Sequence, residues 1–215
     1  MNSELKEQRV EFKYIINSKN LNRVIDHVSK NNYFFMKQYE DRKVNSLYFD
    51  SAKLSELNNT LDGSNMKKKF RYRFYDDISK KIEGQWELKE KIGINTSKKI
   101  YKETINKSQL MENNFVEFTS KFDAINFYLR KYSFSNRLIS YERKYFVSKK
   151  YGNNFRLTLD SNISSAVNVN GVLRNNTEKD YSILELKISK DTYNKNHLEN
   201  FLPFSRVGYS KYLEA

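Results

Sequence analysis

Segment 67–75 alternates between basic and aromatic residues with a period of two. Successive side chains of a β-strand point to opposite faces, so this period predicts a strand with one cationic face and one largely apolar face. The cationic face would carry Lys67, Lys69, Arg71 and Arg73. Taken alone, the pattern is equally compatible with an exposed sheet face, where solvated cations contribute little to stability.

Other segments repeat the two-residue period, and several of them also carry charge on one face. The additional predicted strands are 9–16, 43–50, 85–92, 98–104, 139–147, 155–160 and 183–188. Acids and bases recur two positions apart in them, at Glu11/Lys13, Glu87/Lys89 and Glu185/Lys187. Such pairs favour closure of the sheet into a barrel, with the ionic faces turned inward.

Apolar residues at helical spacing predict fewer helices than strands. These helices are expected over 18–30 with Ser18 as its N-cap, after Ser51, within 108–132 and from Asp191 onward, with a charged loop over 76–84 and a polar loop over 167–179. Strands that outnumber helices favour an α+β fold, in which the apolar sheet faces pack on flanking α-helices.

The composition limits the classes of partner and of chemistry. The chain has 39 Lys and Arg against 26 Asp and Glu, a formal net charge of +13, and no cysteine. The basic excess implies an anionic partner, which includes nucleic acid, a membrane surface or a phosphate-rich molecule. The absence of cysteine excludes disulfides, thiolate metal sites and cysteine nucleophiles, and is typical of a cytoplasmic protein.

The length predicts one domain. At 215 residues, with one proline, six glycines and no biased linker, the chain is expected to form a single domain over 1–215. No basic-then-apolar leader opens it, and no apolar run approaches the roughly 20 residues that cross a bilayer, so we expect no membrane segment of its own.

The ionic faces have different consequences in an open and in a closed sheet. In an open sheet they are wet, whereas in a closed one they point inward and must be filled by water, ions or a charged ligand, because unpaired buried charges are too costly. Cations two positions apart lie roughly 7 Å from each other and repel by about 2.4 kcal/mol at an effective dielectric near 20. Aligning Lys69, Arg71 and Arg73 in a confined site therefore favours a polyanion, whose phosphate oxygens each Arg can bind through two donors.

An ordered set of short motifs also carries a family resemblance. They are Glu11-Phe-Lys13, Ser46-Leu-Tyr-Phe-Asp50, Lys69-Phe-Arg71-Tyr-Arg73, Glu87-Leu-Lys89, Tyr141-Glu-Arg143, Arg156-Leu-Thr-Leu-Asp160, Glu185-Leu-Lys187 and Ser210-Lys211-Tyr. Together they resemble the VTC (vacuolar transporter chaperone) domain, the polyphosphate polymerase branch of the triphosphate tunnel metalloenzymes, in the CYTH-like superfamily. The resemblance extends over nearly the whole chain.

The resemblance implies a fold and a set of site residues. The fold would be a closed antiparallel eight-stranded β-barrel with flanking α-helices, in which a basic tunnel holds a triphosphate. By position, the catalytic residues would be Lys13, Arg71, Arg73, Arg143, Arg156 and Lys211, and the substrate-binding residues Lys69, Lys89, Lys187 and Ser210. Glu185 would bind Mn²⁺ or Mg²⁺, assisted by Glu11, Glu87 and Asp160. Lys67 and Lys68 are expected to be solvated cations.

The implied activity is a metal-dependent phosphotransfer, in which a polyphosphate polymerase passes the γ-phosphoryl group of ATP to a growing polyphosphate chain. Tunnel hydrolases of the adenylate cyclase and thiamine triphosphatase branch typically begin with Glu-x-Glu-x-Lys, whereas Arg9 precedes Glu11 here. The missing acid leaves fewer ligands for a second, water-activating metal, which favours transfer over hydrolysis. A triphosphate or polyphosphate hydrolase of the same fold and a non-catalytic polyphosphate-binding module are the alternatives.

Nucleic acid is not expected as a partner. The aromatic residues of segment 67–75 alternate away from its cations, so bases could not stack beside the phosphates that those cations bind. Membrane-embedded members of the family add transmembrane helices and a phosphate-sensing module, so any coupling to translocation would require a membrane-protein partner. The sequence leaves the oligomeric state open.

Overall fold

The computed structural model describes residues 9–30, 33–76, 81–93, 95–111, 118–169, 172–196 and 204–214. The strands are β1 Arg9–Asn17, β2 Phe35–Asp50, β3 Met66–Tyr75, β4 Lys81–Ile92, β5 Asn95–Asn106, β6 Phe134–Ser148, β7 Gly152–Val169, β8 Val172–Glu178 and β9 Tyr181–Ser189. The helices are α1 Leu21–Lys30, α2 Ser55–Leu61, α3 Lys107–Met111, α4 Asp123–Lys131, α5 Lys190–Asn196 and α6 Lys211–Glu214. The fold is therefore rich in β-structure and has flanking helices, as the sequence predicts.

The strands form one sheet in the order β1-β9-β7-β6-β2-β3-β4-β5, and β8 pairs with β7 beside this path. Eight strands follow one another in the path, but β8 raises the total to nine. Among the described residues no pairing joins β1 to β5, so the expected closure into an eight-stranded barrel is not observed. β8 was missed because residues 167–179 are mostly polar, yet Val169 pairs with Val172 and starts a hairpin there.

The chain divides into two compact units. Unit 1 comprises Met1–Arg42, Glu142–Ile163 and Lys179–Tyr209, and unit 2 comprises Lys43–Tyr141, Ser164–Glu178 and Ser210–Ala215. β2, β6 and β7 contribute residues to both units. That the two units form a single domain stays a prediction.

The core of unit 1 contains one face of β9 and the apolar stripe of α1. Leu184, Leu186 and Ile188 are buried in it, together with Val24 and Val28. The two-residue period of β9 places Glu185 and Lys187 on the opposite face. The alternation of the sequence thus separates an apolar from an ionic face.

The core of unit 2 combines aromatic and aliphatic residues. Phe70, Tyr72 and Phe74 of β3 are buried in it, and Trp86 of β4 stacks on Phe70 with ring centroids 5.4 Å apart. The indole N–H of Trp86 donates to Oε2 of Glu103 over 2.6 Å, so its polar atom is satisfied in the core.

Several predicted boundaries need correction. β2 begins at Phe35 rather than at 43, and β4 begins at Lys81, inside the segment predicted as a loop. Residues 18–20 form a 3₁₀ turn before α1, and the side chain of Asn17, not that of Ser18, accepts a hydrogen bond there, from Lys19 N. The helical region over 108–132 is two helices, α3 and α4. The predicted last helix is confirmed as α5 up to Asn196, and its further residues lie outside the described ones.

Asp50 caps α2 from the end of β2. Its carboxylate accepts hydrogen bonds from the backbone N–H groups of Glu56 and Leu57, 3.0 and 2.9 Å away, and satisfies donors at the start of that helix. Ser51, the cap that the sequence predicts for this helix, also contributes, because its Oγ accepts a hydrogen bond from N of Ser55, the first residue of α2, although Leu54 occupies the N-cap position. In the part of the chain that the structure describes, every helix is too short and too polar to cross a bilayer.

Candidate functional site

A buried carboxylate lies at the centre of the ionic face of unit 2. Register pairs place Arg71 opposite Glu87 and Arg73 opposite Gln85 on the neighbouring strands β3 and β4. Nε and Nη2 of Arg71 lie 2.8 and 2.6 Å from Oε2 of Glu87, and Nη1 of Arg73 lies 3.3 Å from Oε1. Nζ of Lys98 on β5 lies 2.9 Å from the same Oε1. We call Arg71, Arg73, Glu87 and Lys98 the cationic cluster.

The protonation states in the cationic cluster follow from this geometry. Glu87 is only 1% exposed, and burial would raise the pKa of its carboxyl, but Arg71, Arg73 and Lys98 outweigh burial and hold that pKa well below its usual range. Burial would lower the pKa of the Arg71 guanidinium, but Tyr48 and Glu87 raise it above its ordinary value. Burial outweighs Glu87 at Lys98 and lowers the pKa of its ammonium. Glu87 is therefore an anion at neutral pH, and it faces two guanidinium groups and the amino group of Lys98.

Lys98 is a member of this cluster that the motifs did not single out. It lies opposite Lys89 in the register of β4 and β5, and Lys89 lies opposite Lys69 in the register of β3 and β4. Residues opposite each other in an antiparallel sheet share a face, so the three lysines form a row across three strands. The sequence predicts strand 98–104, which begins with Lys98. It does not predict the register with β4 that brings this lysine close to Glu87.

The C-terminal segment contacts the same ionic face in unit 2. Nζ of Lys69 donates to Oγ of Ser210 over 2.7 Å, and Nζ of Lys211 lies 4.8 Å from the ring centroid of Tyr141. The hydroxyl of Tyr141 is 3.5 Å from Nη2 of Arg73. The structure therefore brings Lys69, Arg71, Arg73, Ser210 and Lys211 into one connected region of unit 2, with Lys89 at its exposed side.

Lys68 differs from the expectation of a solvated cation. Its Nζ lies 2.9 Å from Oε1 of Glu90, its register partner on β4, and both side chains are mostly buried. The pair lies on the face opposite the cationic cluster because Lys68 and Glu90 are shifted by one residue from Lys69 and Lys89.

Unit 1 carries a second ionic group on β1 and β9. Register pairs place Lys13 opposite Glu185 and Glu11 opposite Lys187. Nζ of Lys187 lies 2.8 Å from Oε1 of Glu185 and 4.0 Å from Oε2 of Glu11, and Nζ of Lys13 lies 3.2 Å from Oε1 of Glu11. The ammonium of Lys13 also donates to the backbone carbonyl of Tyr209 over 3.0 Å. We call Glu11, Lys13, Glu185 and Lys187 the carboxylate cluster.

β7 adds basic and polar residues to unit 1. Arg156 lies opposite Lys187 and Thr158 opposite Glu185 in the register of β7 and β9, so both share the face of the carboxylate cluster. Thr158 Oγ1 is shielded from solvent and has no hydrogen-bond partner among the described residues. Arg143 forms a two-pronged ion pair with the fully buried Asp160, at 2.6 and 2.8 Å. The resemblance did not single out Thr158.

The candidate metal-binding carboxylates differ in whether their present contacts fit a divalent cation. In the described part of the chain no three acidic or histidine side chains gather as a metal site. Glu87 and Asp160 are held by guanidinium groups, whereas Glu11 and Glu185 both approach the ammonium of Lys187. Mg²⁺ is usually bound through one or two carboxylates together with substrate phosphates. Glu185 and Glu11 therefore fit a cation that arrives with phosphate oxygens.

Comparison with solved structures shows the fold. A protein from Hippeastrum, described as a putative adenylyl cyclase with a dominant triphosphatase activity, aligns with 95% of this chain and 93% of its own at 15% identity, with a TM-score of 0.53. A putative adenylate cyclase from Vibrio parahaemolyticus aligns with 96% of this chain and 98% of its own at 18% identity, with a TM-score of 0.49. The structural neighbours have the CYTH-like triphosphate tunnel fold. No curated protein matches the chain in sequence.

The family is shown by a match to almost the whole sequence. The model of the VTC domain matches residues 8–215, a range that includes both ionic groups described above. The motifs that carry the resemblance, from Glu11 to Lys211, lie inside it. The chain therefore belongs to the VTC domain family.

Proposed function

We propose that this chain is a polyphosphate polymerase, a metal-dependent phosphotransferase that passes the γ-phosphoryl group of ATP to a growing polyphosphate chain. The observation that carries the proposal is the convergence of Arg71, Arg73 and Lys98 on the buried carboxylate of Glu87. Three cations around one anion make a site that is organised before any ligand binds. Membership of the VTC domain family points to phosphate chains as the anion.

The proposed chemistry is an in-line transfer between phosphates. A terminal oxygen of the acceptor phosphate attacks the γ-phosphorus of ATP, the bond from that phosphorus to the β,γ-bridging oxygen breaks, and ADP leaves with that oxygen. The transferring group has charge on three equatorial oxygens, and stabilising that charge requires fixed donors rather than a side-chain nucleophile. Arg71 and Arg73 would supply such donors in unit 2, while Lys13, Arg143, Arg156 and Lys187 are the proposed basic residues of unit 1.

The carboxylate cluster has the proposed role of metal binding. Glu185 would hold Mn²⁺ or Mg²⁺ with Glu11 as its assistant, and the ion would supply charge neutralisation of the bound phosphates. Glu87 and Asp160, which the resemblance also implied as assistants, make two-oxygen contacts with guanidinium groups and would act by orienting Arg71, Arg73 and Arg143. Lys187 would have to leave Glu185 when the ion binds.

The substrate would be bound by further basic residues at the edge of the cationic cluster. We propose this role for Lys69, Lys89, Ser210 and Lys211. The proposed donor is ATP, the proposed partners are triphosphate and polyphosphate, and the proposed compartment is the cytoplasm, in keeping with a chain that has no cysteine.

A product assay tests the proposal. The purified chain is incubated with ATP and Mn²⁺ or Mg²⁺, and the products are separated by chain length on a gel and followed by ³¹P NMR. We expect long polyphosphate and ADP from the wild type, and neither from Arg71→Ala or Glu185→Gln. If inorganic phosphate were the only product besides ADP, the chain would be a hydrolase. Tight binding of polyphosphate without turnover would identify a binding module, and either result would overturn the polymerase.

A further inference from the structure

The guanidinium of Arg71 is contacted on two sides. Glu87 accepts from Nε and Nη2, and the hydroxyl of Tyr48 on β2 accepts from Nη1 over 2.6 Å. Cζ of Arg71 also lies 5.5 Å from the ring centroid of Tyr48. These contacts use three of the five N–H groups of a guanidinium, and an anion would bind through the other two. Where those two N–H groups point therefore depends on Tyr48 as well as on Glu87.

Tyr48 is itself fixed by a residue of the C-terminal segment. Its ring stacks on the ring of Tyr212 with centroids 4.8 Å apart and an interplanar angle of 17°. Both side chains are buried, at 4% and 2% exposure. Stacked aromatic rings in a packed environment have few alternative rotamers, so Tyr212 limits the positions that the Tyr48 hydroxyl can take.

Tyr212 is held in turn by two hydrogen bonds of its hydroxyl. It donates to Oδ2 of Asp50 over 2.8 Å and accepts from Nδ2 of Asn136 over 2.8 Å. Asp50 is fully buried and accepts from the backbone of α2, so its position follows from the helix. Burial and Asp50 raise the pKa of the Tyr212 hydroxyl, although Asn136 lowers it, so this group remains a donor at neutral pH.

We propose that Tyr48 and Tyr212 are positioning residues that fix the guanidinium of Arg71 for binding the phosphate groups of the substrate. The connection runs from α2 through Asp50 and Tyr212 to Tyr48, all within unit 2. It rests on the proposed function for the identity of the anion. The connection itself is a chain of buried contacts and needs no ligand.

Binding of inorganic tripolyphosphate to single-hydroxyl variants tests the role. We expect Tyr48→Phe and Tyr212→Phe to raise the Kd, measured by isothermal titration calorimetry, by roughly threefold to tenfold, the effect of one hydrogen bond. Tyr72→Phe is the matched control, because the buried Tyr72 hydroxyl donates toward the carbonyls of Ile82 and Glu103, 2.8 and 2.7 Å away, on the face of β3 opposite Arg71. An equal rise in Kd for Tyr72→Phe would overturn the proposal, since the effect would then be structural.

A mutant cycle separates action through Arg71 from action elsewhere. If Tyr212 works through Arg71, Tyr212→Phe has no further effect on the Kd in an Arg71→Lys background. The same fold-change in both backgrounds would overturn the proposal.

A second measurement requires no ligand. The ¹H–¹⁵N signal of Arg71 Nε, assigned by its loss in Arg71→Lys, should be sharp in the wild type and broadened in Tyr48→Phe and Tyr212→Phe, but unchanged in Tyr72→Phe. An unchanged signal in the first two variants would refute the positioning role. If the wild type failed to bind tripolyphosphate, the proposed function would fail while this signal still decided the role of the tyrosines.

Discussion

The ammonium of Lys187 lies 2.8 Å from Oε1 of Glu185, the carboxylate proposed to bind the metal ion. The two residues are two positions apart on β9 and share one face of the strand. An internal cation therefore neutralises the carboxylate that we propose as metal ligand. A divalent ion bound with phosphates would have to displace this cation, so binding of the metal and of the substrate should depend on each other.

Replacing Glu185 by glutamine should abolish the metal dependence of turnover. We expect Glu185→Gln to lose about 100-fold or more in the rate of phosphoryl transfer at saturating Mn²⁺, because it removes a charged metal ligand without changing side-chain volume. Rates measured across a Mn²⁺ titration check this. Glu40→Gln is the control, since Glu40 is an exposed carboxylate that pairs only on the surface with Lys37. A Mn²⁺ response of Glu185→Gln that matches the control would contradict the assignment.

Glu87 should make the stability of the protein sensitive to acid. Its native pKa is lowered by Arg71, Arg73 and Lys98 against the opposing effect of burial, so the stabilisation is present above the ordinary glutamate pKa, about 4.3, and is lost as the pH falls further. The unfolded chain takes up the proton first. At neutral pH, Glu87→Gln should destabilise by up to about 3–5 kcal/mol, because it leaves three cations without their counterion.

Unfolding experiments over a range of pH test the direction of this effect. Thermal unfolding of wild type and Glu87→Gln between roughly pH 7 and pH 3 should show a difference in Tm that narrows toward acid, since the variant has no proton to take up at this position. A difference that stays constant or widens would show that Glu87 does not carry the linkage.

Thr158→Val should leave the free energy of unfolding unchanged or raise it by up to about 1 kcal/mol. The hydroxyl of Thr158 is shielded and lacks a partner among the described residues, so removing it takes away an unsatisfied polar group rather than a hydrogen bond. Thr60→Val is the matched control, because the Thr60 hydroxyl donates to the Glu56 carbonyl over 2.8 Å, and its loss should cost about 1 kcal/mol. Urea denaturation measures both. Destabilisation of Thr158→Val by as much as the control would mean that this hydroxyl has a partner after all.

Gly84 should not tolerate a methyl group. A Cβ at this position would lie 2.6 Å from the carbonyl oxygen of Arg73 and 2.6 Å from Cζ of Tyr72. Because the Tyr72 hydroxyl donates toward the carbonyls of Ile82 and Glu103, the ring cannot move away without losing those contacts. Gly84→Ala should destabilise by about 1–3 kcal/mol in chemical denaturation.

Gly208→Ala is the control for that substitution, since nothing lies within 4 Å of a Cβ at Gly208. Equal stability of the two alanine variants would contradict the close packing of Tyr72 under Gly84.

The sequence predicts the strands of the ionic faces well, because an ionic and an apolar face impose a strict two-residue period. β1 and β3 are confirmed to within one residue at each end for this reason. The register between neighbouring strands cannot be predicted from this period, because it depends on turn geometry and packing. The gathering of Arg71, Arg73 and Lys98 around Glu87 therefore emerged only from the pairing of β3, β4 and β5.

The sequence also does not predict the positioning roles of residues that contact other site residues rather than a ligand. Tyr48 and Tyr212 occur within quoted motifs, but their stacking joins positions far apart in the chain. Asp50 ends a predicted strand, and its capping of α2 depends on the path of the intervening loop. β8 was missed because polar residues dominate its segment, and paired backbone groups hold it in place.

The carboxylate of Glu87 is a covalently attached counterion of Arg71, Arg73 and Lys98. A polyphosphate bound through their remaining N–H groups would meet side chains whose charge Glu87 already offsets, so few dissolved ions would be released from these three side chains. Salt weakens polyanion binding in proportion to the number of ions released. The affinity of this protein for polyphosphate should therefore fall less steeply with ionic strength than its number of basic contacts suggests.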